Sequence, residues 1–258
     1  MFSYSSECMG TFFTFQIVDE VPDSELTRMC EAAMEILRDA DETFSLYKSE
    51  SEISRINSGE ISWDVASSVQ KSIRADSLSW KDTTAGYFDP ISPSGVYDPS
   101  GLVKTWAARN AAQFLEANGI REFTLNAGGD VFLSEELRDP TLNRVGLSNL
   151  KSIASEGAGA NLILDLANTG FRAVATSGSS ERGEHIWKSS ESDFVQVSVI
   201  AQDLVEADIW ATALISGGAS ALIEFKKRVD PNRVVALAIS KDLSFSATAG
   251  FTNMLANL

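Results

Sequence analysis

Four short segments of the chain combine glycine, small hydroxyls and aspartate, the residue types that handle phosphates and hard cations. Asp208 and Thr212 stand four apart in Ala207-Asp208-Ile209-Trp210-Ala211-Thr212. On a helix that spacing puts a carboxylate and a hydroxyl on one face. The pair suits Mg²⁺, which takes few protein ligands, keeps several waters and bridges phosphates. The plainer reading is an aspartate near a helix start and a threonine bonded back to its own turn. Tyr97-Asp98-Pro99-Ser100-Gly101-Leu102-Val103-Lys104 delivers Asp98 and a glycine to the start of a helix. Free N–H groups and the helix dipole favour a phosphate there, and Lys104 adds a charge; a turn, a cap and a solvated lysine would explain the same residues. Asn126-Ala127-Gly128-Gly129-Asp130 follows a strand, and its paired glycines allow either close approach to a ligand or a tight turn. Ala175-Thr176-Ser177-Gly178 closes another strand with hydroxyls and N–H groups suited to a phosphate or ribose. The single histidine, His185, lies seven residues beyond Gly178; a lone histidine is more often structural, but any histidine chemistry must use it.

Those segments need elements to position them. Thr11 to Val18 mixes β-branched and aromatic residues and reads as a strand. Leu26, Met29, Cys30, Ala33, Leu37, Ala40 and Phe44 then form one apolar helical stripe, with Asp23 as the expected N-cap. A weaker helix is expected over about Ala66 to Trp80. Another covers about Val103 to Asn118, with Trp106, Asn110, Ala111, Phe114 and Leu115 repeating helically and Asn118-Gly119 as its stop. Pro90, Pro93, Gly95, Pro99 and Gly101 make the stretch between them a structured loop. Strands are expected at Phe123–Asn126, near Ile163, and at Ala173–Thr176, Val195–Ala201, Val234–Ser240 and Phe245–Thr248. Helices are expected over about Val205–Ser216 and Ala219–Arg228. Strands and helices mingle without strict alternation, so the expected class is α+β, with mixed β-sheets flanked by helices. No Pro-rich linker divides the chain, and residues 1–258 read as one domain of two lobes at most.

The chain has 258 residues, with 21 Lys+Arg against 36 Asp+Glu, a net charge of −15. That surplus argues against a nucleic-acid binder or a protein seated on an anionic membrane. Much of it falls in the first 50 residues, as a solvated helix face would have it. Hydrophobic residues at 44% and charged residues at 22% are ordinary globular values. Cys8 and Cys30 form no CxxC pair and read as buried reduced thiols rather than metal ligands. No stretch approaches the roughly 20 apolar residues of a membrane span. The first residues carry neither a basic-then-apolar leader nor a lipoprotein-like cysteine, so a cytoplasmic protein with no membrane insertion is expected.

Taken in order, the segments resemble the ApbE family of FAD:protein FMN transferases. The resemblance runs through Met9-Gly10-Thr11, Phe44-Ser45-Leu46-Tyr47, Ser51 to Asn57, Thr84 to Pro90, Tyr97 to Lys104, Asn126 to Asp130, Ala175 to Gly178, His185-Ile186 and Ala207 to Thr212. It implies that Met9, Tyr47, Tyr87, Phe88, Asp89, Asp98 and Lys104 hold FAD, with Thr176, Ser177 and Gly178 on the same site. His185 and Ile186 would approach the flavin. Asp208 and Thr212 would ligate Mg²⁺, joined by the backbone carbonyl of Gly101. The implied reaction splits FAD at its pyrophosphate, passes FMN to a Thr or Ser hydroxyl of a target flavoprotein and releases AMP. His185 and Asp208 would be its catalytic residues, and the partner a redox-complex subunit or flavin-dependent reductase. An FAD pyrophosphatase and a non-catalytic FAD-binding protein are the alternatives. The sequence departs from the family at Ser100 and Thr105, where glycines are usual around the lysine, and after His185, where no Asp-Pro-x-Thr-Gly loop follows.

Overall fold

The computed structural model describes residues 1–147, 162–178 and 192–256. It is built on an eight-stranded sheet of β1 (Phe2–Cys8), β2 (Thr11–Ile17), β3 (Phe123–Ala127), β4 (Asp130–Leu133), β7 (Ala173–Gly178), β8 (Phe194–Ala201), β9 (Val234–Ser240) and β10 (Phe245–Ala247), in that order across the sheet. Every neighbouring pair is antiparallel. The expected α+β class holds, with a sheet that is antiparallel throughout and flanked by helices. A second, two-stranded sheet pairs β5 (Arg144–Leu147) with β6 (Leu162–Asp165).

The side-chain period of two gives the sheet two apolar faces. In β7, β8 and β9, Ala175, Val197, Val199, Ala236 and Ala238 face one core together with Phe13 and Phe15 of β2. Val174, Ile200, Val235 and Leu237 face the other, against Val145, Leu164 and Phe251. The first core is closed by helices α1 (Asp23–Phe44), α4 (Ser100–Ala117) and α5 (Leu204–Arg228). Two smaller helices, α2 (Glu52–Asn57) and α3 (Ser68–Thr83), follow α1.

The expected stripe of α1, from Leu26 to Phe44, is buried throughout. Its N-cap is Pro22, not Asp23, which is the first helical residue and adds its charge to the positive end of the dipole. On α4 the buried face is rotated from the expected one. Ala107, Ala108, Ala111 and Ala112 are fully buried, whereas Trp106, Asn110 and Phe114 lie half-buried at its margins. Small residues let α4 lie close to both α1 and α5, and Trp106 instead meets Phe44 edge-on at 6.0 Å. Expected helices at 205–216 and 219–228 are the two halves of α5, broken at Gly218, whose φ of 58° and ψ of −138° leave the helical region. Asp203 caps its start by accepting from the N–H groups of Val205 and Glu206.

Two chain reversals and a strand end meet at one end of the sheet. Met9 (φ 52°) and Gly10 (φ 68°) form the two-residue turn from β1 to β2. Gly128 (φ 65°) and Gly129 (φ 104°) turn β3 into β4, with Gly128 N–H donating to the Phe12 carbonyl at 3.0 Å. A side chain at position 128 would collide with the Thr11 hydroxyl. The C-terminal end of β7 lies beside the start of β4. Among the described residues, no helix is long and apolar enough to cross a membrane.

Two outcomes test this packing. Ala111→Leu forces a branched side chain into the α4 contact and should lower stability by about 1–3 kcal/mol, read as a shifted urea midpoint with unchanged m. Cys8 and Cys30 are both buried free thiols, and burial pushes Cys30 up to about 12 and raises Cys8 as well. Since the thiolate is the reactive form, neither should react with Ellman's reagent at pH 8 until the protein is unfolded.

Candidate active site

The N-terminus of α4 is wedged between two clefts. The larger, about 1000 Å³, is lined by Met9, Gly10 and Thr11 from the first hairpin, Phe44 to Lys48 beyond α1, and Ser100, Val103 and Lys104 of α4. The smaller, about 390 Å³, is lined by Tyr87, Asp89, Asp98, Gly101, Thr212 and Ser216 among others. Pro99 holds the N-cap position of α4 and offers no side-chain cap. Asp98 substitutes, its Oδ1 accepting from the Ser100 N–H at 2.9 Å and from the Ser100 hydroxyl. The N–H groups of Leu102 and Val103 turn back to the Pro99 carbonyl.

At the back of the α4 start, Lys104 is bracketed by two carboxylates. Its ammonium is tightly paired with Asp130 Oδ2 and lies 3.8 Å from Asp208 Oδ2. The three side chains are only 11%, 3% and 10% exposed. The other oxygen of Asp130 accepts from the Thr176 N–H at 3.1 Å, and the Thr176 hydroxyl meets that of Ser198 at 2.9 Å. Fully buried Thr105 donates its hydroxyl to Asp208 Oδ2 at 3.2 Å. Three buried charges from α4, β4 and α5 thus sum to −1, which favours a further cation at this point.

The expected site residues divide between these features. Met9, Tyr47 and Lys104 line the larger cleft, where Tyr47 is 83% exposed. Tyr87, Asp89, Asp98, Gly101 and Thr212 line the smaller one. Phe88 borders it too, but its ring is buried in the main core and lies against Gly101, whose added Cβ would sit 3.0 Å from it. Asp89 pairs with Lys81 at 2.8 Å and caps the Ile91 N–H, so it shapes the loop. Thr176 reaches the cluster through Asp130, and Ser177 and Gly178 continue β7 beside β8. His185 and Ile186 lie outside the described residues.

Sequence reasoning placed Asp130 only in a glycine turn and gave Thr105 no role beyond a departure. Both act here through partners far away in the chain. It also missed Gly217, on which the Tyr87 ring lies so closely that any Cβ would collide with it. The residues at hand suit a hard cation. Asp208 and Thr212 are one turn apart on α5, and Thr212 shares the smaller cleft with Gly101. These donors are all oxygen. Among the described residues no cluster of three or more His, Cys, Asp or Glu side chains is placed for a metal, so an ion here would complete its shell with phosphate and water oxygens, as Mg²⁺ does.

The fold has counterparts among solved structures. The fold is similar to a flavin transferase ApbE from Vibrio cholerae, with a TM-score of 0.78 and 19% identity over 98% of this chain and 99% of that one. It is equally similar to the apo form of the Pseudomonas stutzeri flavinyl transferase ApbE, with a TM-score of 0.78 and 18% identity over 99% and 97%. The ApbE protein of Thermotoga maritima gives a TM-score of 0.76 at 17% identity over 99% of each chain. No curated protein matches the chain by sequence. The sequence pattern of the ApbE family, however, matches residues 9–96 and 92–237, across the first hairpin, both clefts and the Lys104 bracket, and the chain therefore belongs to the ApbE family.

Proposed function

We propose that the protein is an Mg²⁺-dependent FAD:protein FMN transferase. The observation that carries this reading is the start of α4, where Lys104 lies 3.8 Å from Asp208 and a cleft opens on either side. The solved ApbE proteins named as flavin transferases support it through their shared fold.

In this reading the pyrophosphate of FAD lies at the N-terminus of α4, where the helix dipole favours an anion. An acceptor hydroxyl attacks the phosphorus of the FMN half. A new O–P bond forms to the Thr or Ser side chain, the P–O bond to the bridging oxygen breaks, and AMP leaves with that oxygen. The hydroxyl proton passes to a base, for which His185 is the proposed acceptor as the only histidine. Asp208, Thr212 and the Gly101 carbonyl would hold Mg²⁺, which would supply charge neutralisation at the pyrophosphate. Lys104 offers its ammonium to the same charge from within a largely dry cluster, where such a contact is stronger than in water. Tyr47, exposed at the mouth of the larger cleft, offers a face for a ring of FAD. Tyr87, fixed by Gly217, walls the smaller cleft.

The test is incubation with FAD, Mg²⁺ and a redox-protein subunit carrying an acceptor threonine, with covalent flavin read by mass spectrometry. Asp208→Ala should lower transfer by about a hundredfold or more, in line with the loss of a charged group at a phosphoryl-transfer centre. Undiminished transfer would remove Asp208 from the site, and release of FMN and AMP without any acceptor would make the protein a pyrophosphatase. Gly217→Ala should push the Tyr87 ring into the smaller cleft and weaken FAD binding about tenfold, the equivalent of roughly 1.4 kcal/mol of misfit. Fluorescence titration with FAD checks it.

A further inference from the structure

We infer that Tyr97 is a positioning residue that sets the start of α4, held on one side by the Asn57 amide of α2 and on the other by the Ser77 hydroxyl of α3. The inference rests on the proposed place of the FAD pyrophosphate at that helix start. It extends that reading to three residues that line neither cleft.

Tyr97 is fixed at three points. Asn57, the last residue of α2, donates its Nδ2 to the Tyr97 carbonyl at 2.8 Å, and its Oδ1 accepts from the Tyr97 N–H at 3.2 Å. One side chain thus pairs with both backbone groups of one residue, as a strand partner would. The Tyr97 ring is buried and meets Trp63 edge-on at 5.4 Å, and its hydroxyl lies 2.9 Å from the Oγ of fully buried Ser77. The Ser77 proton is directed to the Ile73 carbonyl at 2.7 Å, so Tyr97 is the donor of that pair. Burial pushes the Tyr97 hydroxyl up to about 12, which keeps its proton in place near neutral pH. Asp98 and Pro99 follow directly. The Asp98 N–H donates to the Pro90 carbonyl at 2.7 Å, and its Oδ1 accepts from the Ser100 N–H at the start of α4. Tyr97 also bridges to Ile91, which lines the smaller cleft as Asp98 does. A shift of Tyr97 therefore reaches that cleft twice. Without the Ser77 hydroxyl, the buried phenol keeps a proton with no partner, which costs more than losing both members of the pair. The acceptors left on that side are the Ile73 and Arg74 carbonyls to which Ser77 donates, so the ring is drawn toward α3 and takes Asp98 with it.

The test measures FAD affinity by calorimetry with Mg²⁺ present, at a temperature where circular dichroism shows each variant folded. Ser77→Ala should weaken FAD binding about tenfold, the effect of one unsatisfied buried donor. Tyr97→Phe should cost about threefold or less. The double variant Ser77→Ala, Tyr97→Phe should return to within about threefold of the wild type, because no donor is left unpaired. A role in stability alone would lower the melting temperature and leave the affinity of the folded variants unchanged, and that result overturns the inference. So does a loss in the double variant as large as that in Ser77→Ala. Should Ser77→Ala not fold, Asn57→Ala releases Tyr97 from its exposed side and should weaken FAD binding about threefold or more, and unchanged affinity contradicts the proposal. A wild type that binds no FAD is a different failure, one that removes the proposed function. Hydrogen exchange then decides the positioning role without ligand. The Asp98 and Ser100 amides should exchange faster in Ser77→Ala and recover in the double variant, and unchanged exchange overturns that role.

Discussion

A buried lysine between two buried aspartates is the constraint on which the site depends. An ammonium as enclosed as Lys104 is costly unless opposite charge sits against it. Here that charge comes from two separate places, the start of β4 and the second turn of α5. The cluster therefore ties α4 both to the sheet and to the helix across it. Removing Lys104 would leave both carboxylates uncompensated, whereas removing one aspartate would leave a neutral pair. Their sum is negative, so the same group that orders the protein also favours a cation beside the start of α4.

The backbone around the cluster is arranged to allow this approach. Gly128 and Gly129 reverse the chain with positive φ and bring Asp130 directly to the sheet's end. The small residues on α4 let that helix lie close to α5, which brings Lys104 and Thr105 to Asp208. The break at Gly218 ends the inner half of α5 just after Ser216, where the smaller cleft is lined, and leaves room at Gly217 for Tyr87. Packing and chemistry here draw on the same few residues.

Much of this was legible in the sequence, and the limits have physical reasons. Asp208 and Thr212 were legible as a pair because helical spacing alone puts them on one face. Lys104 was legible from its place at a helix start after a Pro-Ser-Gly turn. The β9 strand, Val234–Ser240, has the bounds expected of it because a run of apolar β-formers serves two cores at once. β1 was overlooked because its outward serines and Glu7 dilute the alternation that Phe2 and Tyr4 supply. The buried face of α4 was misjudged because alanines give a weak periodic signal and Trp106 a strong one. The role of Asp130 was out of reach for another reason. It depends on the register between β4 and β7 and on the approach of α4, and residues 104, 130, 176 and 208 have no local pattern that joins them.

The central claim is that the pyrophosphate of FAD is handled at the start of α4, beside Asp208. A crystal structure of the protein with FAD and Mn²⁺ measures this directly, since anomalous scattering locates the metal independently of the flavin. The account predicts an Mn²⁺ peak bound by Asp208 and Thr212 and touching both phosphates, with the pyrophosphate over the N-terminal turn of α4. A flavin whose phosphates lie away from that turn, or a metal peak remote from Asp208, would contradict it.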